Sequence, residues 1–172
     1  MEEIIPNLYL GSFAEVQDIK SNVSPGFVAC LTVGKDFKLI DTPKTQMNEI
    51  KIGLPDLNLI GIDHIRIPID DGTPNVICKF LPKALLFIDE HIDKGKVYVH
   101  CFAGVSRSAS FVFAYLLSKG YSPIDAFELI TSKRGVVRPY YRFIYEILNY
   151  FKESSIDDKM KTLSSGLYKT LK

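Results

Sequence analysis

The stretch His100-Cys101-Phe102-Ala103-Gly104-Val105-Ser106-Arg107-Ser108 places a thiol, a guanidinium, two hydroxyls and a glycine within nine residues. A cysteine six residues before an arginine is weak evidence alone. Requiring a histidine before the cysteine, a glycine three after it and a serine after the arginine lowers chance to on the order of one in 100,000. A short loop between a strand end and a helix N-terminus turns several backbone N–H groups towards one point and makes an anion nest. Gly104 permits a backbone conformation that a side chain would obstruct. Arg107, in the first helical turn, can lay its planar fork across two oxygens of a bound dianion. Cys101 lies at the floor, where the same dipoles favour a thiolate. A thiolate under a bound phosphate is aligned for in-line attack on phosphorus. His100 reads as an orienting group rather than a base, because a low-pKa thiol needs no proton abstracted. Ser108 can donate to the Cys101 sulfur and ease its departure from a thiophosphate intermediate.

The flanking pattern supplies the elements that such a loop needs. Lys96 to Val99 (K-V-Y-V) reads as a strand running into His100 and Cys101. Ala109, Val112, Phe113, Leu116 and Leu117 give a helix that ends at Gly120. Around them, strand and helix alternate. Ile4 to Leu10 reads as an edge strand broken by Pro6. Phe27 to Val33 reads as a strand buried on both faces. His64 to Ile69 reads as a strand stopped by the turn Asp70-Asp71-Gly72. Residues 35–61, with Pro43 and Pro55, read as a long loop holding at most one strand. Leu81, Ala84, Leu85, Ile88 and Ile92 predict an amphipathic helix over 79–93. Ser122-Pro123 is an N-cap with proline at the first helical position, and that helix stops at Gly135. Phe143, Ile144, Ile147, Leu148 and Phe151 make a last helix after Pro139. The pattern predicts an α/β fold in one domain, a mostly parallel sheet flanked by helices, over residues 1–152. Residues 153–172 read as a polar C-terminal tail.

His100 to Ser108 resembles the signature of the cysteine-dependent protein phosphatases, and most of all their small dual-specificity branch. The resemblance covers about residues 3 to 151, including Pro6-Asn7-Leu8-Tyr9-Leu10-Gly11 and Ile67-Pro68-Ile69-Asp70-Asp71. It implies that Cys101 is the nucleophile, Arg107 the phosphate clamp and Ser108 the leaving-group assistant. Residues 102–107 would cradle the phosphate. It also implies a general acid, an aspartate about 30 residues before the cysteine on a mobile loop. Spacing alone leaves Asp70 and Asp71 open, and the family pattern Pro-x-x-Asp falls on Asp71, three after Pro68. One position departs from the family, which usually reads Pro-Asn before the last helix and uses the asparagine to brace the loop. Here Tyr140 follows Pro139. Tyr140 is expected at the pocket rim instead.

Phe102, Ala103 and Val105 are uncharged, whereas lipid-phosphatase relatives tend to carry lysines there. RNA-phosphatase relatives favour Asn-Arg-Thr where this chain has Ser106-Arg107-Ser108. The chain lacks the length for the aromatic clamp of tyrosine-specific relatives. A phosphoprotein bearing phosphotyrosine, phosphoserine or phosphothreonine is the expected substrate. Two rivals share the thiol and the anion loop: a phosphopeptide-binding module without turnover, and a rhodanese-type sulfurtransferase. The first normally loses the cysteine or the arginine. The second normally has a loop of different length and no acid aspartate.

The remaining composition narrows the field. Among 172 residues, 21 basic and 20 acidic side chains leave a net charge of +1, without the basic footprint of a nucleic-acid binder. The longest apolar run, Phe111 to Leu117, is far short of the roughly 20 residues that span a bilayer. Glu2 and Glu3 after Met1 match neither a signal peptide nor a myristoylation site, and Leu171-Lys172 carries no lipid acceptor. Three cysteines do not make a disulfide framework, so an intracellular, reducing, cytoplasmic setting is expected, with the nucleus open. Cys30 reads as core. Cys78, soon after the acid loop, is a candidate to capture an oxidised Cys101. His64 and His91 lack partners at ligand spacing, and no metal or cofactor is expected. Lys133, Arg134, Arg138 and Arg142, interleaved with Tyr140 and Tyr141, read either as a basic patch that grips an acidic substrate or as a solvated face. Oligomeric state is not legible.

Overall fold

Among the described residues a sheet of five strands runs in the order β1-β2-β5-β3-β4. The computed structural model describes residues 1–20, 25–35, 62–73 and 76–152. The strands are β1 (Glu2–Ile5), β2 (Leu8–Ser12), β3 (Phe27–Val33), β4 (Asp63–Ile67) and β5 (Lys96–Cys101). The helices among the described residues are α1 (Val16–Lys20), α2 (Ile77–Ile92), α3 (Arg107–Ser118), α4 (Pro123–Lys133) and α5 (Tyr141–Lys152). Most of the 35–61 loop expectation and the whole 153–172 tail lie outside the described residues.

β2, β5, β3 and β4 pair in parallel, and only β1 is antiparallel. The α/β, mostly parallel expectation holds. The N-terminus needs correction. Ile4 to Leu10 is not one interrupted edge strand but a hairpin, with β1 at the edge and β2 inside the sheet beside β5. Pro6 and Asn7 form its turn; Asn7 takes φ 66, the left-handed conformation that asparagine tolerates after a proline. Proline therefore starts a turn here rather than spoiling a strand.

β5 is buried on both faces, and its pleat divides the interior. Val97, Val99 and Cys101 face the main core with α2, α3 and α5. Tyr98 faces the second cluster with Cys30, Phe27, Val16 and Ile19. The short helix α1, which the sequence pattern did not reveal, covers that second face.

Ten of the twelve residues of α3 are buried, so it is central rather than amphipathic. Its end follows from Gly120, at φ 89. The Gly120 N–H donates to the Leu117 carbonyl at 3.0 Å and the Tyr121 N–H to that of Leu116 at 3.1 Å, a Schellman closure. α4 begins as expected, with the Asp125 N–H donating to the Ser122 hydroxyl at 3.1 Å and Pro123 in the first turn. α2 starts at Ile77, two residues before the apolar periodicity, and keeps Pro82 within its second turn.

Parallel pairing has one consequence for function. The C-terminal ends of β2, β3, β4 and β5 lie at the same edge of the sheet, where ligands of open α/β sheets gather. Ser12 sits level with Cys101, Thr32 with His100, and Val33 with Ile67.

Candidate active site

The β5–α3 loop begins at Cys101, a residue 2% exposed, and ends at Arg107. Gly104 takes φ 66. A Cβ there would lie 2.4 Å from the Gly11 carbonyl oxygen, so only glycine fits between this loop and β2. The turn it permits aims backbone N–H groups inward. Burial pushes the Cys101 thiol pKa up, but the Ser108 hydroxyl and the N–H groups of Ser108, Gly104 and Val105 all donate to the sulfur. Together they hold it below its ordinary value. The Ser108 Oγ to Cys101 Sγ distance is 3.2 Å.

The sheet edge also delivers the aspartates. Ser106 Oγ donates to Asp71 Oδ1 at 2.8 Å, and Arg107 Nε lies 3.9 Å from Asp71 Oδ2. Arg107 Nη1 donates weakly to the Ile69 carbonyl at 3.4 Å. Asp70 turns away and pairs with Lys35 at 3.6 Å, both exposed. The structure thus brings Asp71, and not Asp70, to the thiol loop. Among the described residues, Arg107 Nε is buried without a hydrogen-bond partner. Phe102 and Ala103 face solvent and Val105 is half-buried, which leaves an uncharged rim.

His100 is buried, and its hydrogen bonds fix its tautomer. The Cys101 carbonyl can only accept, so Nδ1 carries the proton and donates to it at 3.3 Å. Nε2 then accepts from the Thr32 hydroxyl at 2.7 Å, and Thr32 Oγ1 accepts from His64 Nε2 at 2.9 Å. Burial pushes the His100 pKa down to about 4, so the ring is neutral. It therefore orients the turn and takes no proton from the thiol. Thr32 and His64 were missed from sequence, because only the pairing of β5, β3 and β4 aligns the three side chains.

Where the family's asparagine side chain would brace the loop, the backbone on either side of Pro139 does so here. The Tyr140 N–H donates to Ser106 Oγ at 3.1 Å, and the Arg138 N–H to the Val105 carbonyl at 2.9 Å. The Tyr140 ring, half-buried, packs edge-on against Phe143 at 5.3 Å and against the main core. The basic patch also shrinks. Arg134 is pinned to Glu2, to Glu15 at 3.5 Å, and to the carbonyls of Gly104 at 3.0 Å and Ala103 at 3.3 Å. Arg138 and Arg142 remain exposed.

The other cysteines are elsewhere. Cys30 belongs to the cluster on the opposite sheet face, and burial pushes its thiol pKa up to about 12. Cys78 donates to the Glu146 carbonyl at 3.3 Å, which directs its sulfur into the α2–α5 seam rather than towards the β5–α3 loop.

Known proteins share both sequence and architecture with this chain. It is 30% identical over 159 residues to human dual specificity protein phosphatase 9, covering 91% of this chain and 38% of that protein. It is 32% identical over 149 residues to mouse dual specificity protein phosphatase 2, covering 85% and 41%. The chain thus spans about two fifths of the length of these relatives. The crystal structure of human DUSP28 shares the fold, with a TM-score of 0.68, 23% identity, and coverage of 89% of this chain and 96% of that one. The crystal structure of DUSP15 gives a TM-score of 0.68 at 25% identity, covering 95% and 94%. The family model described as "Dual specificity phosphatase, catalytic domain" matches residues 8–153, a span that starts at β2, ends just past α5 and encloses every residue of the thiol loop. By that match the chain belongs to the dual specificity phosphatase family.

Proposed function

We propose that this chain hydrolyses phosphate monoesters on protein side chains, phosphotyrosine and phosphoserine or phosphothreonine, through a cysteinyl-phosphate intermediate. One observation carries the reading. A thiol with a lowered pKa lies at the floor of a loop of inward N–H groups, beside a guanidinium whose buried Nε makes no hydrogen bond among the described residues. That arrangement is complementary to a tetrahedral dianion placed over a nucleophile.

In the first step the Cys101 thiolate attacks phosphorus in line. A sulfur–phosphorus bond forms as the bond to the side-chain oxygen breaks, and Asp71 gives that oxygen its proton. Arg107 spans two non-bridging oxygens as charge spreads over them. In the second step water attacks the thiophosphate, Asp71 takes its proton, and inorganic phosphate leaves. The departing thiolate is received by the Ser108 hydroxyl, already 3.2 Å from the sulfur. No cofactor enters these steps. The uncharged side chains of Phe102, Ala103 and Val105 favour one phosphate on a protein over a polyphosphorylated lipid. A nucleophilic thiolate requires reducing surroundings, which supports an intracellular, cytoplasmic setting.

Phosphate release from a panel of phosphotyrosine, phosphoserine and phosphothreonine peptides tests the reading. Turnover of all three classes that vanishes in Cys101→Ser supports it. Tight binding without turnover would assign a phosphopeptide-binding module, and thiosulfate sulfurtransfer would assign a rhodanese.

A further inference from the structure

Arg134 stands at the C-cap of α4 with its side chain 10% exposed, and all three guanidinium nitrogens are engaged. Nη1 pairs with Glu2 of β1. Nη2 faces Glu15 at 3.5 Å and donates to the Ala103 carbonyl at 3.3 Å, while Nε donates to the Gly104 carbonyl at 3.0 Å. Glu15 is itself held by Ser12 at the end of β2, through the backbone N–H at 2.6 Å and the hydroxyl at 2.8 Å. Two carboxylates thus fix the fork against the outer wall of the β5–α3 loop.

The two carbonyls it grips are not arbitrary. A trans peptide points its C=O and its N–H in opposite directions within one plane. The plane that carries the Ala103 carbonyl carries the Gly104 N–H, and the plane that carries the Gly104 carbonyl carries the Val105 N–H. Those two N–H groups donate to the Cys101 sulfur. Arg134 therefore holds from outside the same two peptides that hold the thiolate from inside. A cation on the carbonyl end also polarises the peptide and strengthens the N–H end as a donor.

We propose that Arg134 is a positioning residue of the active site, which locks the Ala103–Gly104 and Gly104–Val105 peptides with their carbonyls outward and so sets the ionisation of Cys101. The proposal deepens the phosphatase reading, and its effect on turnover rests on that reading. Its effect on the thiol does not.

The test measures iodoacetamide alkylation of Cys101 against pH, by mass spectrometry of the peptide that contains it, in wild type, Arg134→Lys and Arg134→Ala. The same proteins are assayed for kcat and KM on para-nitrophenyl phosphate and for Tm. In Arg134→Ala the alkylation midpoint should move to higher pH and the rate at pH 6 should fall about three- to tenfold. The value of kcat should fall by at least as much. Arg134→Lys keeps a cation beside Glu2 and Glu15 but lacks the paired donors for two carbonyls, and should lie between. If Arg134→Ala does not fold, Arg134→Lys decides. A folded Arg134→Lys or Arg134→Ala with the wild-type alkylation midpoint overturns the proposal, whatever happens to Tm. A midpoint that moves in a protein without phosphatase turnover keeps this proposal and rejects the functional reading; turnover with an unmoved midpoint does the reverse.

Discussion

The Ser106 hydroxyl donates to the Asp71 carboxylate at 2.8 Å and accepts the Tyr140 N–H at 3.1 Å. Ser106 is the N-cap residue of α3, yet its side chain makes no cap hydrogen bond. The first-turn N–H groups of α3 are thereby left to face an anion, while one hydroxyl ties the loop after β4 to the loop before α5. Asp71 is held against the thiol loop by this tie and by Arg107, whose Nε is 3.9 Å from its Oδ2. Asp70, its neighbour, is on Lys35 instead.

Asp71→Asn should therefore slow hydrolysis of an alkyl phosphate or phosphoserine peptide by about 10²-fold, since the leaving oxygen loses its proton source. An ester with a good leaving group, such as para-nitrophenyl phosphate, should be affected far less. Asp70→Asn should be close to wild type on both. The paired rates on the two substrate types check this, and the reverse pattern would make Asp70 the acid.

Ser108→Ala removes a hydroxyl that donates to the Cys101 sulfur at 3.2 Å. Burial raises the thiol pKa and this hydroxyl is the largest contribution that lowers it. Its loss raises the pKa, so activity that depends on the thiolate disappears at a higher pH as pH falls. The acid limb of kcat/KM should move to higher pH. Breakdown of the thiophosphate should also slow, giving a burst of product in rapid-quench kinetics where wild type shows a smaller one.

What could be read in advance followed from range along the chain. His100 to Ser108 are contiguous, so the thiol, the guanidinium and the hydroxyl announce themselves together. The helices were legible from apolar spacing to within two residues at the start of α2 and from the glycine that ends α3. Asp71 needed a family pattern to separate it from Asp70, because the choice rests on Ser106, 35 residues away. Thr32 and His64 touch His100's network only through the order of β5, β3 and β4, which no local pattern encodes. Arg134 looked like one more surface cation, since its partners Glu2 and Gly104 lie 132 and 30 residues away. Pro6-Asn7 carries its own signal, a proline followed by a residue that accepts positive φ, and that signal makes a turn where apolar spacing alone suggests one broken strand.

Arg107→Lys should lower kcat by about 10²–10³-fold with the fold retained. An ammonium cannot bridge two phosphoryl oxygens, and it would leave the position held by the planar Nε unsupported. KM should change less than kcat, because the fork matters most as charge develops on the equatorial oxygens. Steady-state kinetics with circular dichroism as the folding control check this. A loss under tenfold would remove Arg107 from the transition state.

Neutral His100 links stability to pH. Burial lowers its folded pKa to about 4, against about 6.5 in an unfolded chain. A base with a depressed folded pKa contributes stability that is fully present above the unfolded value and is lost as pH falls through the folded one. The window is thus pH 6.5 down to about 4, and the loss across it is about 3 kcal/mol. His64, whose pKa burial and Arg66 also lower, acts in the same direction. Glu15 acts later, because burial raises its pKa but the amine of Met1 and both Ser12 donors pull it down to about 2. The variant His100→Gln keeps an amide donor for the Cys101 carbonyl and an acceptor for Thr32 while removing the titration. Urea unfolding of wild type should lose stability steeply between pH 6.5 and 4.5. His100→Gln should lose markedly less there, and both should decline together below pH 4. Parallel curves over the upper interval would show that His100 is not what wild type protonates as it unfolds.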